Sequence, residues 1–228
     1  MKKSVFLLVI AFAIVFSACN TGNNNSETNN SGSTEVIKIG VILPLTGDLA
    51  SYGVDAKRGI ELAYLSLGRD TLKYKLIFEN SKGQPSEAVK VINKLIEIDG
   101  VEFIIGDVLS NTSLAMAPIA NQKEVFMVCP TASSSKIVIE GMYSISIFPS
   151  EITEGMVMAN YVKKNNIKSV GVLYENVPAA EGMCNSFIQG YGVFGNVLFI
   201  DKYSSQTTDF KTIITKYKNQ CRLVKLNS

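Results

Sequence analysis

The chain has 228 residues, 46% hydrophobic and 18% charged, enough to bury a sizeable core as one large domain or two small ones. It contains no histidine, which excludes Ser-His-Asp and Cys-His catalysis and every histidine-based metal site. With 22 basic against 20 acidic residues the net charge is only +2, without the basic footprint that nucleic-acid binding requires.

Met1, Lys2 and Lys3 form a short basic region, Val5 to Phe16 is apolar at every position, and Ser17, Ala18 and Cys19 follow. This is the pattern of an export signal. The apolar run has 12 residues, whereas a bilayer-spanning helix needs about 20, so a permanent transmembrane anchor is the weaker reading. Phe16 to Cys19 resembles a lipobox, although Phe16 is bulkier than the leucine more usual there. The resemblance implies a signal peptide over residues 1–18 and a diacylglycerol on the thiol of Cys19, the first mature residue. The competing reading is an ordinary signal peptide whose cysteine is incidental. Residues 19–34 are nearly all Asn, Ser, Thr and Gly after the cysteine; they bury too little apolar surface to fold and read as a flexible tether. Loss of Lys2 and Lys3 with the signal leaves the mature chain formally neutral.

From Val36 onward, short apolar runs alternate with helical patterns, the signature of a parallel sheet covered by helices. Val36–Leu43 predicts a first strand, continuous enough to be buried on both faces. A helix is predicted over Val54–Leu67, a strand over Tyr74–Phe78, and a helix over Ser86–Ile98, started by Pro85 and carrying Ala88, Val91, Ile92, Leu95 and Ile96 at helical spacing. A third strand follows at Val101–Ile105. The next helix starts within Ser110–Ser113 and carries Leu114, Met116 and Ile119, before strands at Val125–Val128 and Tyr143–Phe148. Pro149 and Ser150 open a helix to about Val162, and the lobe boundary is placed here: 35–149 an N-terminal α/β lobe, 150–228 a partial second one. That second part has strands at Ser169–Tyr174 and Val197–Tyr203 and helices at Ala180–Gln189 and Asp209–Tyr217. Two strands make a marginal sheet, since about three or more are usual for independent stability. A further buried strand is expected after Tyr217, yet Leu223, Val224 and Leu226 alternate too poorly to form one. Truncation or a frame error is therefore expected.

Cys129, Cys184 and Cys221 remain once Cys19 is assigned, so at most one pair could form and no disulfide framework is expected. No phosphate loop ending in Lys-Ser or Lys-Thr occurs. Gly190, Gly192 and Gly195 have dinucleotide-fingerprint spacing but end a helix and precede a strand, the reverse of what pyrophosphate binding needs, and so read as a helix stop and turn. Asp48, Asp55, Asp107 and Glu175 lie near strand ends but pair into no acid-base constellation; loop acids are usually solvated or cap helices. No enzyme activity, cofactor or metal is expected. Binding fits better, because ligands of open parallel α/β sheets sit beyond the carboxyl ends of the strands. Ser110, Asn111, Thr112 and Ser113 follow the third strand, where hydroxyls and amides at a helix start suit a carboxylate. Pro130, Thr131, Ala132 and Ser133 to Ser135 follow the fourth. The structural alternative is that Ser110 or Thr112 caps its helix and the serine run is a surface turn.

These segments resemble the leucine/isoleucine/valine-binding family of type I periplasmic binding proteins, the extracellular ligand-binding receptors of ABC importers. The resemblance runs from Ile37 to about Tyr217 through Ile39-Gly40-Val41, Leu45-Thr46-Gly47, Tyr52-Gly53, the Gly59 helix, Ile105-Gly106, Ser110-Asn111-Thr112, Pro130-Thr131-Ala132-Ser133 and Glu181-Gly182. It implies a two-lobe α/β fold, a parallel sheet flanked by helices in each lobe, with the second lobe incomplete. By that resemblance the ligand-binding residues are Tyr52, Ser110, Asn111, Thr112, Thr131, Ala132 and Ser133. Ser110 and Ser133 would face an amino-acid carboxylate, the Thr131 carbonyl and Ser133 hydroxyl its ammonium group, and Tyr52 would line the cleft. Pro178, Ala179 and Ala180 stand where an aromatic residue is common, and the acidic partner of the ammonium would lie beyond Ser228. The family's small disulfide is absent, with Lys82 or nearby polar residues and Leu109 in the corresponding loops.

The function implied is lipid-anchored, extracytoplasmic capture of a small polar ligand, an amino acid foremost, for an ABC permease, with the lobes closing about Phe148–Ser150. A ligand-sensing receptor of the same fold, an α/β surface enzyme and a non-functional fragment stand as alternatives.

Overall fold

The computed structural model describes residues 36–139 and 142–225. The predicted signal peptide, Cys19 and the tether lie outside the described residues. The remainder belongs to one compact unit, 35–228, which holds two parallel sheets.

The first sheet has five strands in the order β2-β1-β3-β4-β5: β1 Ile37–Leu43, β2 Tyr74–Asn80, β3 Phe103–Ile105, β4 Phe126–Cys129 and β5 Ser144–Ser146. Every pairing is parallel. Helices α1 Ala50–Ser66, α2 Pro85–Lys94, α3 Ser110–Gln122 and the short α4 Lys136–Ile139 connect them. The unbroken apolar run of β1 follows from coverage on both faces. Ile42 joins Ile104, Met127 and Cys129 in a core closed by Ala88 and Ile92 of α2 and Met116 and Ala120 of α3. Val41 and Leu43 point the other way, toward Leu76, Phe78 and the Ala56 and Ile60 side of α1.

The second sheet pairs β6 Ser169–Glu175 with β7 Asn196–Tyr203. Helices α5 Glu151–Lys164, α6 Pro178–Tyr191 and α7 Lys211–Lys225 complete this half. Ser150 starts α5 by accepting the Thr153 amide at 3.3 Å, with Glu151 and Glu154 in the first turn and Lys163 and Lys164 in the last, as the helix dipole favours. Ala159, Phe187 and Tyr191 form the core between α5, α6 and the sheet, and the Tyr191 hydroxyl donates to the Ile167 carbonyl at 2.9 Å. On α7, Tyr217 sets its ring edge-on against Phe199 at 3.9 Å and donates to the Val172 carbonyl at 2.8 Å. Burial there pushes the Tyr217 phenol up to about 12.

Several boundaries differ from the sequence reading. Helix α1 starts at Ala50 instead of Val54, because its first turn is paired through Gly47 and Leu49 carbonyls and exposes Ser51 and Tyr52, which carry no apolar periodicity. The predicted helix to Ile98 becomes α-helical to Lys94 and a π turn over Leu95–Asp99, stopped by Gly100 in the left-handed region at φ 66°. No strand follows Tyr217 among the described residues: α7 runs on to Lys225, through a stretch without Gly or Pro. Helix α4, which the sequence did not predict, follows directly on the Ser133–Ser135 run. Cys129 and Cys184 are buried and unpaired.

Candidate functional site

β3 and β4 are adjacent and in register, Ile105 beside Val128, so their carboxyl-end loops leave the sheet side by side. Those loops are cross-linked. The Ser134 amide donates to Ser110 Oγ at 3.2 Å, and the Thr131 hydroxyl donates to the Val108 carbonyl at 2.9 Å. Ser146, at the end of β5, donates to the Ala132 carbonyl at 2.6 Å and pins the second loop from its far side. The Ser110 and Ser133 segments thus lie side by side at the tips of β3 and β4.

The predicted residues are not equivalent within this shelf. Ser110, Asn111 and Ser133 are half-buried and Thr131 is exposed. Thr112 and Ala132 are buried, and the Thr112 hydroxyl donates to the Leu109 carbonyl at 3.0 Å, inside the first turn of α3. Side-chain hydroxyls near the surface are therefore those of Ser110, Thr131 and Ser133. Ser110 is the first residue of α3 and not its cap; the cap position is Leu109, without a side-chain bond, so the capping alternative does not account for Ser110. Tyr52 stands 64% exposed on α1, at the tip of the strand next to β3. Beyond it, Asn80 braces the loop after β1, accepting from the Leu45 amide at 2.9 Å and donating to Thr46 Oγ1 at 2.7 Å.

Asp107 underlies the shelf. The sequence reading grouped it with solvated loop acids, as Asp48 and Asp55 are, yet it is fully buried. Its Oδ1 accepts from the Val108 amide, its Oδ2 has no partner among the described residues, and the Ser81 and Thr112 hydroxyls lie beside it. Burial holds this carboxyl above the usual carboxylate range, because the charged form loses its hydration. Neighbouring Cys129 donates its thiol to the Gly106 carbonyl at 3.4 Å, and burial pushes that thiol up to about 11, so it is no nucleophile at neutral pH.

Glu151, which the sequence reading did not single out, is the other buried acid at this place, 3% exposed. It accepts from the Ser135 amide at 2.7 Å and the Ser135 hydroxyl at 2.8 Å, while its own amide donates to the Ser133 carbonyl at 3.0 Å. Among the described residues, no group of three or more His, Cys, Asp or Glu side chains could hold a metal ion, and no helix is long and apolar enough to cross a membrane.

Residues 36–221 match the periplasmic binding protein family. The chain belongs to that family. A Leu/Ile/Val-binding protein homolog of Brucella melitensis is 28% identical over 190 residues, covering 80% of this chain and 51% of that protein. A branched-chain amino acid transporter substrate-binding protein from Streptococcus pneumoniae, solved with isoleucine, is 25% identical with a TM-score of 0.73, covering 81% of this chain and 54% of that one. An ABC-transporter solute-binding protein of Rhodopseudomonas palustris, solved with 3,4-dihydroxybenzoic acid, shares the fold at a TM-score of 0.75 and 24% identity, over 81% of this chain and 52% of that one. The periplasmic binding protein chain described here thus spans about half the length of these relatives. The expected type I α/β architecture, parallel sheet flanked by helices, is the fold observed.

Proposed function

We propose that this chain supplies the carboxylate-gripping portion of an extracytoplasmic solute-binding protein that serves an ABC permease, with an amino acid, branched-chain foremost, as the ligand. The observation that carries the reading is the bond from the Ser134 amide to Ser110 Oγ, which joins two strand-tip loops into one surface of hydroxyls and main-chain groups. Ser110, Asn111, Thr131 and Ser133 lie where ligands of parallel α/β sheets bind, and the start of α3 adds the positive end of its helix dipole. Thr112 and Ala132 contribute only main-chain atoms, since their side chains are buried. Charge-assisted hydrogen bonds to a carboxylate contribute about 1.5–3 kcal/mol each, enough to orient a small ligand.

The two sheets act in this reading as lobes 35–149 and 150–228, closing about Phe148–Ser150 by hinge motion without covalent chemistry. Tyr52 lines the cleft, and Cys19 carries the lipid that holds the protein at the outer face of a membrane. Calorimetry with leucine, isoleucine, valine and 3,4-dihydroxybenzoate tests the ligand class. Saturable heat with a carboxylate ligand and none with isopentylamine, which lacks the carboxylate, is the expected outcome; equal responses to acid and amine would refute it. For the anchor, labelled fatty acid should enter the wild-type protein and not Cys19→Ala, and an unlabelled wild type would remove that part of the reading.

A further inference from the structure

Glu151 lies one residue past the proposed hinge segment and bonds to both halves of the molecule. Its carboxylate holds the Ser135 amide and hydroxyl, and its amide holds the Ser133 carbonyl, so three bonds tie it to the serine loop after β4. Its carbonyl accepts from the Ser186 hydroxyl of α6 at 3.2 Å. Space for the acid comes from glycine: a Cβ on Gly182 of α6 would stand 2.6 Å from Glu151 Cγ. A Cβ on Gly155, one turn along α5, would stand 2.0 Å from Ser186 Oγ, so α5 and α6 touch backbone to side chain at this point. A buried carboxylate costs several kcal/mol unless its oxygens are satisfied. Both Glu151 oxygens are satisfied by a single residue of the serine loop, which makes that bond pair costly to break.

We propose that Glu151 is a positioning residue, a latch that holds the Thr131–Ser135 loop of the first half against the start of α5 and against α6, so that the lobes turn about this contact. This rests on the ligand reading above for its consequence and on the bonds just described for its mechanics. The loop that offers Thr131 and Ser133 to a ligand would be braced by the pivot about which the second half turns. Ligand engagement there would bias the angle at which α5 and α6 sit, while Glu151 itself touches no ligand.

Hydrogen exchange and calorimetry on the purified full chain test this with Glu151→Ala and Glu151→Gln. Glutamine can accept the Ser135 amide and donate to its hydroxyl, so it should restore the latch. In Glu151→Ala the Ser135 amide should exchange about tenfold faster or more, together with the first turn of α5, while Val41–Leu43 stay protected. Isoleucine affinity should fall about tenfold in Glu151→Ala and stay within about threefold of wild type in Glu151→Gln. Unchanged protection of Ser133–Ser135 in folded Glu151→Ala, or failure of glutamine to rescue, overturns the latch. Should Glu151→Ala not fold, Gly182→Ala replaces it, since the added methyl displaces the carboxylate; normal Ser135 protection there overturns the latch equally. If wild type binds no amino acid and no aromatic acid, the ligand reading fails alone, and the exchange result still decides the latch.

Discussion

The two halves follow the same plan, parallel strands with helical crossovers, and differ in how far their sheets are covered. In the five-stranded half, helices lie on both faces and β1 is buried from Gly40 to Leu43. In the two-stranded half no residue of β6 is buried, Ile200 of β7 is 48% exposed, and an open cavity of about 490 Å³ runs beside Val172, Met183, Cys184 and Phe187. A parallel strand is buried when it has neighbours on both edges and helices on both faces. β1 has all four; among the described residues β6 is paired along one edge, and its half is held mainly by helix contacts. Tyr191 bonding Ile167, Tyr217 bonding Val172 and the close α5–α6 approach do there what strand pairing does in the first half.

The contrast can be pressed by mutation. The largest effect is expected for Ile92→Ala, which empties a fully buried position between α2 and the first sheet and should cost about 2–5 kcal/mol in urea unfolding. Loss of less than 1 kcal/mol would mean that this core is not packed as described. A smaller, pH-dependent effect is expected for Asp107→Asn. The folded protein holds the Asp107 carboxyl above its unfolded value, so the stability it contributes is full in acid, below that unfolded value, and is lost as pH rises through the folded one. Asparagine has no proton to lose. The melting midpoint of Asp107→Asn relative to wild type should therefore be most favourable at neutral pH, with the advantage shrinking on acidification; an offset constant with pH would contradict this. The smallest effect belongs to the open half, where Ile200→Ala should change stability by about 0.5 kcal/mol or less. A loss as large as that at Ile92 would erase the distinction between the halves.

Where burial on both faces made an element, the residues announced it: the apolar run predicted β1 to within one residue, and Pro149-Ser150 marked the start of α5. Elements without an apolar signature were harder to read. The first turn of α1 presents Ser51 and Tyr52 to solvent. The α7 sequence, by contrast, carries Ile214, Tyr217, Cys221 and Val224 at helical spacing, a signal that the expectation of a strand after Tyr217 passed over. At the site, the two hydroxyl segments could be named because they follow adjacent strands of a parallel sheet. Asp107 and Glu151 could not be distinguished from surface acids, because their surroundings include Ser81, Ser135 and Gly182, which lie 16 or more residues away along the chain. Glu181-Gly182, noted in the sequence for its resemblance alone, holds the glycine that makes room for Glu151.

The central claim is that the loops after β3 and β4 form a single carboxylate-binding surface, and calorimetric titration of isoleucine into wild type and Ser110→Ala tests it most directly. Ser110→Ala removes one hydroxyl facing the carboxylate and the acceptor of the buried Ser134 amide, so affinity should fall about tenfold or more, with a stability loss of about 1–3 kcal/mol that leaves the protein folded at the titration temperature. Equal affinity for isoleucine in the two proteins would contradict the account.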